Sequence, residues 1–333
     1  MERRREARMM EYRNLGKWGV KLSTIGLGSY LTIGMHVDDE TAAECVKVAF
    51  DGGINWIDTA NAYNRGMAEI ALGNILRDYD RDAYVLATKV WAPMGDGPND
   101  RGLSAKHIYE QCHASLERLQ TDYIDLYQCH RPDPGTPLEE TIRIMDDLSR
   151  QGKVLYWGVS EWPAALIQEA CDLAKMMGCR PPVSNQPRYS LLWRDPEEFV
   201  YPTCLQNGVG NVVFSPLAHG VLTGKYEPGE PPPEGTRAAD ETQNKILMDN
   251  YWSEENLRKV KQMEEMAGDL GLTCAQLAMA WCLEHEAVTS VITGVTKVSQ
   301  LEDNLGAAEA EIPGDVMAKL DEMFPGPQES NAP

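Results

Sequence analysis

Strand-like and helix-like segments alternate along almost the whole chain, and that rhythm restricts the fold more than any other feature. Eight apolar, β-branched or aromatic runs read as strands: STIGLGSY (23–30), NWIDTA (55–60), YVLATKV (84–90), YIDLYQCH (123–130), VLYWGVS (154–160), PVSNQ (182–186), NVVFSPL (211–217) and VTSVITG (288–294). Between them apolar residues recur at i, i+3 and i+4, as in ETAAECVKVAFDGG from Glu40, SAKHIYEQCHASLERL from Ser104 and PLEETIRIMDDLSRQG from Pro137. Ser104 suits a helix cap, Pro137 a first helical position, and Gly52 and Gly152 suit helix ends. Strands separated by helices pair in parallel with both sheet faces covered. Eight such units favour closure, so the expected fold is α/β, a (β/α)₈ TIM barrel. Ahead of it YRNLGKWGVKLS (12–23) reads as a β-hairpin, and behind it PGDVMAKLDEMF (313–324) adds a C-terminal helix outside the barrel.

The expected organisation is a single barrel domain over 12–326, with tails at 1–11 and 327–333. One stretch breaks the rhythm: EPGEPPPEGTRAADE (227–241) is rich in proline, glycine and acid, and a loop of that length is usually functional or mobile. The opening MERRREARMM is basic but has no apolar core or cleavage site, so it does not read as a secretory signal. No apolar run reaches the roughly 18 residues of a membrane span. Eight scattered cysteines form no CxxC and no zinc spacing with histidine, which fits reduced buried thiols in a cytoplasmic protein and no metal site. The net charge of −20, from 51 acidic and 31 basic residues, opposes a nucleic-acid partner and favours solubility. An anionic ligand would then need a local cationic pocket. The sequence leaves a homo-oligomer open.

Three consecutive strands end in ionisable groups. Asp58 and Tyr63 lie in NWIDTANAY, Lys89 closes YVLATKV, and His130 closes YIDLYQCH. Strand C-termini of a barrel converge on the face that carries the active site. A lysine ending a buried run must place its ammonium in the barrel mouth, and an unpaired buried ammonium is costly, so Asp58 is its natural partner. Tyr63, one short loop away, reaches the same point. Its free pKa of about 10 makes it a weak acid, and a neighbouring cation is expected to lower that value. His130 can donate to a developing oxyanion or relay a proton. Together these are parts for proton transfer. Gly26-Leu27-Gly28 begins a dinucleotide fingerprint, but Leu31 stands where its third glycine belongs, and there is no P-loop.

DTANAYNRGMAEIALG, TKVW and CHRPDPGTPLEET resemble the aldo-keto reductase family over about 12–309. HRPDPGTPLEET, GVSEW at Gly158 and SPLAHGVLTGKY at Ser215 are most similar to its branch of potassium-channel β-subunits and glyceraldehyde-phosphate reductases. The resemblance implies a barrel that binds NADP(H) extended, with Asp58, Tyr63, Lys89 and His130 as catalytic tetrad. Channel subunits commonly carry Asn where this chain has His130, which favours an active reductase. Ser160 and Gln186, the latter in the family's Asn185-Gln186 pair, match carboxamide contacts, and Phe214 stands where an aromatic stacks on nicotinamide. Ser215, Leu217, Gly220 and Lys225 match the segment around the pyrophosphate. Gly294, Thr296, Lys297 and Gln300 match the adenosine-phosphate loop, with Asp303 and Asn304 set to meet adenine. Two positions depart from the pattern. Glu161 replaces a common Asn and is left out of the site. Gln300 replaces the arginine many members use for the 2′-phosphate, so NADP use rests on Lys297, with Lys225 or Arg237 in support, and NAD(H) use is compatible.

The implied activity is NAD(P)H-dependent reduction of a small carbonyl substrate, an aldehyde or ketone, by hydride transfer, with Tyr63 as general acid. Two other readings stay open. One is an NADPH-binding regulatory partner with weak turnover. The other is a lyase forming a Schiff base on Lys89. Tyr30, Met35, Trp91, Trp162 and Trp193 lie near strand ends and are candidates for the substrate pocket.

Overall fold

A computed structural model describes residues 10–327. The tails expected at 1–11 and 327–333 fall largely outside the described residues. The hairpin comes first, β1 (Tyr12–Asn14) against β2 (Lys21–Ser23), antiparallel with Tyr12 opposite Ser23. There follow β3 (Ile25–Gly28), α1 (Asp39–Asp51), β4 (Trp56–Asp58), α2 (Met67–Leu76), β5 (Val85–Val90), α3 (Ala105–Leu119) and β6 (Ile124–Cys129). The chain continues with α4 (Leu138–Arg150), β7 (Val154–Ser160), α5 (Ala164–Met177), β8 (Ser184–Gln186), α6 (Val200–Asn207) and β9 (Gly210–Val213). After α7 (Lys245–Asn250), α8 (Glu254–Asp269) and α9 (Cys274–Glu284) come β10 (Val288–Thr293), α10 (Val298–Leu305) and α11 (Gly314–Met323). Strands β3 to β10 close a parallel barrel in sequence order, β10 pairing β3. All eight strand-like runs lie at its staves.

The barrel is filled by Leu15, Leu22, Trp56, Ala87, Leu126, Val183, Val212 and Ile292, so the hairpin plugs its N-terminal end. The close approach at Gly26 is what admits Trp56: a Cβ there would stand 2.2 Å from the indole. Trp56 is fully buried, and its indole N–H donates to Ser290 Oγ at 3.0 Å. Outside the staves the helices bury their apolar stripes in two larger clusters, one under α1, α8 and α9 and one under α3, α4 and α5.

Capping follows local chemistry. Ser104 accepts from His107 N–H, and Thr273 with Gln276 forms a capping box on α9. Pro137 caps α4 rather than sitting inside it, because its ψ of 133° is extended. The stretch 227–241 is not wholly irregular: Arg237–Ala239 makes a 3₁₀ turn, pinned by buried Ala238 whose N–H donates to Tyr226 Oη at 3.4 Å. Among the described residues no single helix is long and apolar enough to cross a membrane.

Candidate active site

Side chains of a strand alternate between faces, so residues two apart share a face. Trp56, Ala87 and Leu126 fill the barrel, and two residues onward from each stand Asp58, Lys89 and Gln128. The same alternation that buries the fillers therefore turns these three polar groups inward, one layer nearer the C-terminal mouth. His130 lies one further step on, just past the end of β6 at the rim.

The Lys89 ammonium spends all three protons: on Asp58 Oδ2 at 2.5 Å, on the Thr59 carbonyl at 2.8 Å and on Tyr63 Oη at 3.2 Å. The second oxygen of Asp58 accepts from Gln186 Nε2 at 2.9 Å and from Gln128 Nε2 at 3.3 Å. Lys89 is 0% exposed and Asp58 3%, so this is a fully desolvated ion pair with its hydrogen bonds satisfied. Burial works to lower the Lys89 pKa, but Asp58 and Tyr63 more than offset it, and the ammonium lies above its ordinary value.

Tyr63 behaves differently from the sequence expectation. Burial raises its pKa and outweighs the lowering by Lys89, so the phenol stays protonated through neutral pH. Its ring packs against Tyr30 at 5.0 Å and edge-on to His130 at 5.7 Å. Burial, with Lys89 and Arg131 nearby, holds the His130 imidazole well below its ordinary pKa, and its Nδ1 has no hydrogen-bond partner among the described residues. The site thus presents a neutral phenol, a charged ammonium and a neutral imidazole side by side.

The neighbouring staves supply the rest of the rim. Ser160 Oγ donates to the Gln186 carbonyl at 2.9 Å and accepts from Arg131 at 3.4 Å. Gln186, expected to face a carboxamide, has its amide N–H₂ on Asp58. Asn185 is buried and donates to Asn211 Oδ1, and its own Oδ1 has no partner among the described residues. Glu161 takes a positive φ of 56°, and its carboxylate accepts from the Arg188 backbone N–H at 2.7 Å, away from the tetrad's hydrogen bonds. Phe214 is half-buried just past β9, beneath the Arg188 guanidinium, which also covers Trp193. Ser215, Ala218, His219 and Gly220 all have positive φ, and Leu217 closes the turn by accepting from Gly220 N–H at 2.8 Å. This tight loop carries His219 toward Arg188 and Arg237, and burial together with those cations lowers its pKa to about 3. Lys225 Nζ lies beside Gly220.

Gly294 follows β10 next to the Gly28 carbonyl. Beyond it Gln300 Oε1 accepts from Thr296 N–H at 2.8 Å and from Thr296 Oγ1 at 3.2 Å, and Lys297 stands exposed at the cap of α10. Asp303 and Asn304, expected to meet adenine, both have protein partners: Asp303 accepts from Thr273 and Gln276, and Asn304 donates to Thr293 Oγ1 at 2.6 Å.

A sequence model described as the aldo/keto reductase family matches residues 24–324. The chain belongs to the aldo/keto reductase family. It is 41% identical over 304 residues to a protein of Arabidopsis thaliana named "Probable voltage-gated potassium channel subunit beta", covering 90% of this chain and 92% of that one. A protein of the same name in Oryza sativa subsp. japonica is 40% identical over the same shares.

For this family member, strand-end reasoning brought Asp58, Tyr63, Lys89 and His130 to one place, and they do meet. It missed Gln128, although Gln128 obeys the same two-residue step from Leu126 that places Lys89 above Ala87. It also missed Arg131, Arg188 and His219, which lie in loops where no periodicity applies. Of the aromatic candidates for the pocket, Tyr30 reaches Tyr63, whereas Trp162 is 2% exposed in the outer core and cannot line it.

Proposed function

We propose that the protein reduces an aldehyde or ketone with NADPH, using Tyr63 as general acid. The observation that carries this reading is the contact chain Asp58–Lys89–Tyr63, which ends in a protonated phenol at the barrel mouth. A dinucleotide suits the rim. Buried or half-buried Arg188 Nε, His219 Nδ1 and Arg237 Nε have no hydrogen-bond partner among the described residues, in a chain with an excess of carboxylates. Such groups favour an anionic guest. Ser160, Phe214, Ser215, Leu217, Gly220 and Lys225 would border it along the β7–β9 side. Gly294, Thr296, Lys297 and Gln300 would border it beyond β10.

When bound, the nicotinamide supplies hydride. Tyr63 passes its proton to the carbonyl oxygen as negative charge develops there. Lys89 stabilises the phenolate left behind, and Asp58 keeps Lys89 charged and aimed. Neutral His130 donates an N–H to the same oxygen and fixes the carbonyl's direction. Tyr30, half exposed against Tyr63, gives the substrate an aromatic wall.

The test is steady-state reduction across an aldehyde panel with NADPH and with NADH. Tyr63→Phe should keep cofactor binding and lose about 10²–10⁴-fold in turnover, the usual worth of a placed acid. Near-full activity of that variant would refute the assignment. The plant relatives' names favour a second reading, an NADPH-sensing partner of a channel protein. Tight cofactor binding with negligible turnover over the whole panel would select it.

A further inference from the structure

We propose that Glu69 and Arg118 form a positioning brace that sets the Tyr63 hydroxyl against Lys89, an inference that rests on the proposed role of Tyr63. The turn carrying Tyr63 is unusual. Asn64, Arg65 and Gly66 follow one another in left-handed conformation, with φ of 45°, 52° and 91°. Two of the three are not glycine, and Arg is a residue type that seldom adopts this region, so the turn needs outside support.

Support comes from beneath. The Arg118 side chain of α3 runs directly under Gly66, where an added Cβ would stand 2.8 Å from Arg118 Cδ. Arg118 Nε donates to Glu69 Oε2 at 2.6 Å, and Arg118 Nη2 donates to Ser115 Oγ at 3.3 Å. Glu69 is fully buried in the first turn of α2, and its other oxygen accepts from Thr88 Oγ1 at 2.6 Å. Thr88 is the residue before Lys89 on β5. It faces out toward the helices while Lys89 faces into the barrel. One buried carboxylate therefore ties together the strand that aims Lys89, the helix that leaves the Tyr63 turn, and the arginine on which that turn rests.

From above, Asn64 Nδ2 donates to the Gly34 carbonyl, and Gly34 itself packs on the Met67 backbone, 2.8 Å from where its Cβ would be. The turn is thus held between the loop after β3 and the ion pair. An ordinary stabilising pair would not need to be linked to both partners of a proton-transfer couple. This one reaches Lys89 through its chain neighbour and Tyr63 through the turn. Misplacement of a reacting group by about 1 Å can cost on the order of 10²-fold in rate.

Three variants test the brace: Glu69→Gln, Gly66→Ala, and the double replacement Glu69→Leu with Arg118→Met. Glu69→Gln and Gly66→Ala should each lower kcat by about 10²-fold and leave NADPH binding unchanged. The double variant exchanges a buried ion pair for apolar groups, which often preserves stability. It should therefore recover the thermal stability lost by Glu69→Gln without recovering turnover. Turnover that returns together with stability, or Glu69→Gln working like the parent, overturns the proposal. NMR spectra of ring-labelled tyrosine supply a readout that needs no catalysis. The Tyr63 resonance, assigned by its loss in Tyr63→Phe, should move in each variant, and an unmoved resonance overturns the brace. A moved resonance in a protein whose parent reduces no carbonyl would leave the brace standing and remove the reductase reading alone.

Discussion

Lys89 and Asp58 meet at 2.5 Å on adjacent staves, wholly shielded from water, and each is fully hydrogen-bonded by the barrel around it. The pair cannot be dissolved cheaply from either side. Asp58→Asn leaves an ammonium with no counter-charge in a desolvated layer. Removing one partner of a buried pair costs about 3–5 kcal/mol, and a drop of that size in urea-denaturation free energy is expected. Without Asp58, burial is the main influence left on Lys89 and pushes its pKa down, so the pH at which turnover falls off on the alkaline side should move lower than in the parent. A variant as stable as the parent would mean that the pair is solvated in solution.

Gly26→Ala addresses the barrel interior rather than the chemistry. The new methyl would press on the Trp56 indole, which is fully buried among the other side chains that fill the barrel. Overpacking of this sort costs about 1–3 kcal/mol. The denaturation midpoint should fall with its slope unchanged, whereas an unaltered midpoint would show that the plug is loosely packed.

Lys297 is the one basic residue between Gly294 and Gln300, and it is exposed at the cap of α10. Lys297→Met should weaken NADPH by about 10-fold, the scale of one charge-assisted contact, and leave NADH nearly unchanged. Isothermal titration with both cofactors decides this. Equal losses would make Lys297 a support of the loop, and no loss for either would move the 2′-phosphate toward Lys225 or Arg237.

His219 gives the fold a pH dependence of known sign. Its pKa falls from 6.5 in the unfolded chain to about 3 in the native state. Native protein therefore binds fewer protons than unfolded protein between those values. Its contribution is fully present above about pH 6.5 and is lost progressively as pH falls toward 3. His219→Gln should reduce the slope of unfolding free energy in that window by up to about 1.4 kcal/mol per pH unit, the value for one proton. Urea melts at a series of pH values measure it, and an unchanged slope would place His219 in water.

From the chain alone one reads the order of the staves and which of their ends carry ionisable groups. A run such as VLAT before Lys89, or WI before Asp58, records both strand period and burial locally, so a polar residue one step beyond the last filler has to face the barrel mouth. Family motifs then named the same residues. The remaining contacts depend on closure of the barrel. Gln186 reaches Asp58 across 128 residues of chain, and Arg188, His219 and Arg237 gather from separate loops. Glu69 meets Arg118 across 49 residues. Desolvation is likewise a property of the assembled mouth: it outweighs Lys89 and raises the pKa of Tyr63, where pairwise reasoning from sequence anticipated a lowering. Periodicity encodes which way a side chain points from its own strand. Only the closed barrel fixes what it then meets and how much water is left around it.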